Sequence, residues 1–187
     1  MSTTTEFEEK SKMLYFSIIT VLIIAFDQLT KYLAIKFLAS VGSVTVIPGI
    51  FDFTYVENRG AAFGMLANHR WIFMVLSVLG IGLLIFYYFK YKPESRILKT
   101  ALIFICAGGC GNMIDRIFRG FVVDFINATF INFYVFNVAD SFVCIGCAMF
   151  ALYILLDSVK DRKTTKDTDK KEISSENDDK TNKDGAK

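Results

Sequence analysis

Trp71–Phe89 runs nineteen residues without a charge, and Ser77 is its only strongly polar side chain. An α-helix needs roughly 20 mainly apolar residues to cross the hydrocarbon of a bilayer, where each backbone N–H and C=O must find its partner inside the segment. Three other runs share this character. Met13 to Leu38 is interrupted only by Asp27, Lys31 and Lys36; Thr100–Ile114 is flanked by Lys99 and by Asp115-Arg116; Ser141–Leu156 follows the more polar FNVAD. Residues 13–158 carry 18 charges in 146 positions, whereas residues 159–187 carry 17 in 29. A water-soluble domain needs a more polar surface than the first of these stretches can supply. The expected fold is therefore an all-α membrane protein with four transmembrane helices. Residues 1–12 form a leader, 13–158 one membrane domain, and 159–187 a charged tail with almost nothing to bury, for which disorder is the expectation. The net charge of +2 gives no reason to expect a nucleic-acid partner.

The leader MSTTTEFEEKSK has three glutamates against two lysines. A cleaved signal peptide prefers a basic leader and a small-residue cleavage site, so the first span reads as a retained helix. The linker Lys90–Lys99 holds Lys90, Lys92, Arg96 and Lys99 against Glu94 alone, and the C-terminal flank begins with Lys160, Arg162 and Lys163. The excess of lysine and arginine predicts that these ends, and both termini, are cytoplasmic. Ser40–Arg70 and Ile117–Val135 then face outward. In the former, Val44–Val46 and Phe51–Tyr55 alternate like short strands, with Gly49 and Asn58-Arg59-Gly60 as punctuation. A small extracytoplasmic β-sheet is expected, with a short surface helix over Ala61–Ala67.

Helical rise then converts sequence position into depth. Asp27 lies 14 positions after Met13, roughly 21 Å along an outward-running helix. Lys31 follows at i+4, where an ion pair is allowed. Gly108, Asn112 and Arg116 share a face near the outer end of the third span, and Asn137 and Asp140 share a face at i, i+3 at the outer end of the fourth. Asp124 sits in the apolar phrase FVVDFI. Charges at membrane depth are costly and face a protein interior or water. Asp27–Lys31 and Asp115-Arg116 read most simply as ion pairs or interface charges. Asp124 and Asp140 have no local basic partner at helical spacing. Two such carboxylates brought together share one proton, and the pair can activate water and protonate a leaving amine. For that, residues 125–139 must fold back.

Other chemistries are open to the same residues. Asp27, Lys31, Arg116 and Asp140 could line a proton relay in a transporter, although no inverted repeat is visible and Asp124 would have no role in it. A purely structural membrane subunit would need none of the acids. Cys106, Cys110, Cys144 and Cys147 all fall in apolar runs and read as small packing residues rather than thiolate ligands. His69, beside Arg70, reads as an interface residue.

FDQLTK (26–31), ENRGAAFG (57–64), GGCGNMIDR (108–116), VVDF (122–125) and FNVAD (136–140), in this order and spacing, closely resemble the bacterial lipoprotein signal peptidases, or type II signal peptidases, over residues 14–158. The resemblance implies an intramembrane aspartic endopeptidase that removes the signal peptide from diacylglyceryl-modified prolipoproteins, cutting on the N-terminal side of the lipidated cysteine. It implies Asp124 and Asp140 as the catalytic pair. Asn112 and Arg116 would orient the substrate backbone, Asn58 and Gly60 would belong to the covering outer segment, and Asn137 would support Asp140. Asp27 and Lys31 would brace the first helix. No metal or organic cofactor is implied. The setting would be the bacterial inner membrane, with the site toward the extracytoplasmic face, membrane lipid as a neighbour, a monomeric state, and globomycin as an inhibitor of the site. Phe63, Met65 and Leu66 are candidate lipid contacts.

Overall fold

The computed structural model describes residues 3–60, 70–131 and 133–160. The chain divides into two compact units, residues 1–149 and 150–187. The first carries nearly all of the described structure, and of the second the described residues, 150–160, are helical.

The four apolar runs are helices: α1 (Thr3–Leu38), α2 (Arg70–Tyr91), α3 (Arg96–Phe118) and α4 (Val138–Lys160). Each is long and apolar enough to cross a membrane. α1 starts ten residues before Met13 and takes in most of the leader. The helices bury different shares of themselves. In α3, 44% of the most apolar window is inside the protein, against 17% in α1 and 6% in α2. α3 is therefore the central element, and α1 and α2 both pack on it. Val75, Leu79, Leu83 and Phe86 of α2 stay exposed. Such a surface suits lipid and would be untenable in water.

Close approach to α3 depends on missing side chains. A Cβ on Gly108 would collide with the carbonyl oxygen of Ala139 and lie 2.7 Å from Val143 Cγ2. On Gly111 it would lie 2.6 Å from a carboxylate oxygen of Asp27. The run GGCG thus lets α1 and the first turns of α4 reach the α3 backbone, as small residues do between membrane helices.

Two of the three connections between helices, α1–α2 and α3–α4, build a single antiparallel sheet, in the order β1 (Ser43–Ile47), β2 (Phe51–Asn58), β3 (Val122–Ala128). Gly42, with φ 84°, ends α1 by donating its N–H to Leu38. β2 pairs with β3 so that Val56 faces Asp124 and Asn58 faces Val122. Val122, Val123, Asp124 and Phe125 are all buried, and Val123 and Phe125 pack against Ala34 and Leu38 at the end of α1. After β3 the chain turns back. Phe136 accepts from the N–H groups of Phe125 and Ile126 and donates to Ile126. This is the fold-back that brings Asn137 and Asp140 beside Asp124. The surface helix expected over Ala61–Ala67, the lipid contacts expected at Phe63, Met65 and Leu66, His69, and the tail beyond Lys160 lie outside the described residues.

Candidate active site

Asp124 on β3 and Asp140 in the first turn of α4 both line a cavity of about 980 Å³, together with Asn58, Gly60, Asn112 and Arg116. Phe133–Phe136, Val122 and Ser141 contribute further wall. Asp124 is 2% exposed and Asp140 half-buried.

The Arg116 guanidinium lines the same cavity and interacts electrostatically with both carboxylates. Amides hold the two in place. Asn58 Nδ2 donates to Asp124 Oδ2 at 2.9 Å, and Asn137 Nδ2 donates to Asp124 Oδ1 at 2.6 Å. Asn112 Nδ2 donates to Asp140 Oδ1 at 2.7 Å. Asn137 and Asp140 also form a reciprocal cap: Asp140 N–H donates to Asn137 Oδ1 at 2.9 Å, and Asn137 N–H donates to Asp140 Oδ2 at 3.2 Å. The i, i+3 spacing in the sequence is therefore a capping box at the start of α4, with Asn137 before the helix, rather than two residues on one helical face. Asn137 supports Asp140, as the resemblance implies, and touches Asp124 as well. Burial, and next the charge of Asp140, push the Asp124 carboxyl up to about 6 despite its amide donors.

Behind the cavity wall lies a second polar cluster with different chemistry. Lys31 is fully buried, and its Nζ lies 2.9 Å from Asp27 Oδ2, 2.9 Å from Asp115 Oδ2 and 2.9 Å from Asn112 Oδ1. Arg119 pairs with Asp115 Oδ1 and reaches Gln28 Oε1 at 3.1 Å. Gln28 Nε2 donates to Asp27, Asp115 and the Gly111 carbonyl. Two acids and two bases leave this cluster formally neutral. Each acid also grips the backbone of a segment bearing one cavity aspartate. Asp27 Oδ1 accepts from Ala139 N–H at 2.9 Å, one residue before Asp140. Asp115 Oδ2 accepts from Val123 N–H at 3.2 Å, one residue before Asp124.

Asn112 joins the two clusters. Its Oδ1 accepts from Lys31 and, at 3.1 Å, from Asn137 Nδ2, so its amide N–H₂ must face Asp140. Arg116, one turn along α3, donates to the Asn112 carbonyl and the Gly60 carbonyl at 3.3 Å each, which ties α3 to the end of β2. Gly60 N–H in turn donates to Asn58 Oδ1 at 3.0 Å, which aims the Asn58 amide at Asp124.

The nine residues read from the sequence as catalytic, substrate-binding or bracing are thus in one connected region. Asp27 and Lys31 form the expected pair but stand behind the cavity wall. Asp115 is a structural ion-paired acid, as one of its two readings has it, but it is buried and its partners are Lys31 and Arg119 rather than Arg116. Sequence reasoning misses Gln28 and Arg119. Gln28 carries a signal, since it follows Asp27 at membrane depth; Arg119 carries none, because it lies past the apolar run. The four cysteines are free thiols, and Cys144 alone among them lines the cavity.

A model of signal peptidase (SPase) II matches residues 19–156. The lipoprotein signal peptidase of Clostridioides difficile is 41% identical over 152 residues, spanning 80% of this chain and 100% of that protein. The lipoprotein signal peptidase of Caldanaerobacter subterraneus is 46% identical over 129 residues, spanning 69% of this chain and 88% of its own length. A bacterial membrane enzyme structure solved by the in meso method superposes with a TM-score of 0.72 at 33% identity, covering 77% of this chain and 89% of the other. Motifs, fold and relatives agree, and the chain belongs to the signal peptidase II family of multi-pass membrane enzymes.

Proposed function

We propose that this chain is an intramembrane aspartic endopeptidase that removes the signal peptide from diacylglyceryl-modified prolipoproteins, cutting on the N-terminal side of the lipidated cysteine. The observation that carries the proposal is the pair Asp124 and Asp140: two carboxylates on one cavity, held by amides, one with its proton retained to about pH 6.

One proton is shared by the pair. The ionised carboxylate takes a proton from a water molecule as its oxygen attacks the scissile carbonyl carbon, and the protonated carboxyl gives its proton to the carbonyl oxygen. The tetrahedral intermediate then collapses. The C–N bond breaks, a proton passes to the departing amine of the lipidated cysteine, and the carboxylic acid of the signal peptide remains. Asp124, buried and raised, is the carboxyl that starts protonated; Asp140, half-buried and accepting from Asn112, takes the proton of the attacking water. Arg116, Asn112 and the Asn58–Gly60 turn present polar groups to the substrate backbone. Asp27 and Lys31 are positioning groups, acting through Ala139 and Asn112.

A signal peptide is itself an apolar helix, so it can approach laterally through lipid. The acyl chains on the cysteine contribute about 0.8 kcal/mol per buried CH₂. The chain works as a monomer in the inner membrane, with residues 13–158 as the working domain, both termini cytoplasmic and the cavity toward the extracytoplasmic face. Globomycin occupies the same cavity. The test is cleavage of a diacylglyceryl-modified precursor by purified Asp124→Asn and Asp140→Asn variants. Loss of cleavage with an unchanged melting profile and retained globomycin binding is expected. Cleavage by both variants would overturn the assignment.

A further inference from the structure

A second cavity, of about 480 Å³, opens where the start of α1, the end of α2 and the start of α3 meet. Its walls carry Ser11, Tyr15, Tyr88, Arg96, Lys99 and Thr100. Arg96 lies 16 positions before Asn112 on the same helix, so this cavity is roughly 24 Å from the first one, at the opposite end of α3. The two sites lie at the levels of opposite membrane interfaces.

Three independent features make this cavity a receptor for a negative charge. First, Arg96 and Lys99 are i, i+3 neighbours on α3, and among the described residues neither is in an ion pair. Second, they sit in the first turn of α3, where the unpaired backbone N–H groups carry partial positive charge. Acids favour that place, yet the first turn holds none, and Ser95 caps the helix through Leu98 N–H. Third, Tyr88 is only 9% exposed, its ring packs on Phe16 at 4.5 Å between centroids, and its hydroxyl has no hydrogen-bond partner among the described residues. This phenol is nine-tenths buried, lines the cavity and has its donor free for an acceptor there.

The level of the cavity identifies the acceptor. Tyr15, Tyr87, Tyr88 and Tyr91 cluster at this end of α1 and α2, as amphipathic aromatic side chains do where hydrocarbon meets headgroups. Basic recesses between membrane helices at this depth suit phosphate-bearing headgroups. We infer that the recess formed by Ser11, Tyr88, Arg96 and Lys99 binds the headgroup of an anionic phospholipid, with Arg96 and Lys99 against the phosphate and the Tyr88 hydroxyl donating to it. The acyl chains lie along the exposed apolar faces of α1 and α2. The lipid sits on the leaflet opposite the peptidase cavity and is a structural ligand rather than a substrate.

The test is native mass spectrometry of the full chain released from nanodiscs of phosphatidylcholine mixed with phosphatidylglycerol of the same acyl chains. Wild type is expected to retain one phosphatidylglycerol in preference to phosphatidylcholine. Each basic side chain near a charged surface is worth about 1 kcal/mol, so Arg96→Gln with Lys99→Gln is expected to weaken retention about 30-fold. Arg96→Lys with Lys99→Arg keeps it, and Tyr88→Phe weakens it several-fold. Lys90→Gln with Lys92→Gln, the same change in net charge outside the recess, leaves it intact. Cleavage of a modified precursor in pure phosphatidylcholine stays at the wild-type level in all four variants. Equal retention of the two lipids, unchanged retention in Arg96→Gln with Lys99→Gln, or an equal loss in the Lys90 and Lys92 pair would overturn the inference. So would displacement of the lipid by millimolar inorganic phosphate, which would mark a site for the free ion.

Discussion

Two clusters of buried acids lie side by side and are treated in opposite ways. Asp27 and Asp115 are neutralised by Lys31 and Arg119, with Gln28 filling the remaining valences. Asp124 and Asp140 are held by amide donors from Asn58, Asn112 and Asn137 and by the backbone N–H of Asn137. A cation fixes a carboxylate as an ion and makes it a structural rivet. An amide holds its position but does not cancel its charge, so the proton stays available at the cost of repulsion between the two acids. The cluster behind the wall supplies geometry to the cavity pair by gripping Val123 and Ala139, the residues just before the two cavity aspartates.

Swapping the terms of this contrast should have the largest effects. Asp124→Asn or Asp140→Asn should lower kcat by about 10⁴-fold, since one half of the acid–base pair is gone. Lys31→Met should leave Asp27 and Asp115 buried beside each other with one cation fewer. The expected cost is about 3–5 kcal/mol of stability, read as a lowered midpoint of unfolding in mixed micelles. If Lys31→Met were as stable as wild type, the rivet description would fail.

Asn137→Ala lies between the clusters. It removes a donor from Asp124 and the cap of α4. About 1 kcal/mol of stability should go with the cap, and kcat should fall about 100-fold with little change in KM. A variant that lost only stability would reduce Asn137 to a cap. Activity against pH tests the cavity cluster directly. The raised carboxyl of Asp124 should give a bell-shaped kcat/KM with its basic limb near pH 6, the macroscopic property of the pair. A flat profile from pH 4.5 to 8 would rule out proton sharing.

The smallest effect concerns stability and pH. Asp124 ionises less readily in the folded chain than its ordinary value of 3.8. The folded state therefore holds the proton more tightly than the unfolded one between that value and about 6. The stabilisation is complete below 3.8 and is lost as pH rises through 6. Melting temperature should decline over that window in wild type and decline less in Asp124→Asn. Equal slopes would place the raised group elsewhere.

Part of this contrast is legible in the amino-acid sequence. The i, i+4 spacing of Asp27 and Lys31 on a long helix admits one simple outcome, and the structure has it. The four spans are equally plain, because nothing but lipid suits nineteen uncharged residues in a row. β3 is not legible. Val122–Phe125 is buried along its whole length, so it lacks the alternation that marks a half-exposed strand. The Asn137–Asp140 spacing is visible but ambiguous, because i, i+3 serves a helical face and a capping box alike. Asp115 shows the same limit. Its neighbours at helical spacing are on its own helix, whereas its decisive partner, Lys31, arrives from α1 through contacts that no local pattern encodes.

The difference between the clusters comes down to one carboxyl in the cavity whose proton survives to near neutrality, while the acids behind it are bound to Lys31 and Arg119. Infrared difference titration of the purified enzyme reads this directly. A single protonated-carboxyl band should vanish with a midpoint near 6 and be absent in Asp124→Asn. A wild-type spectrum without a titrating carboxyl between pH 5 and 7, or a band that persists in Asp124→Asn, would be incompatible with a proton held on Asp124.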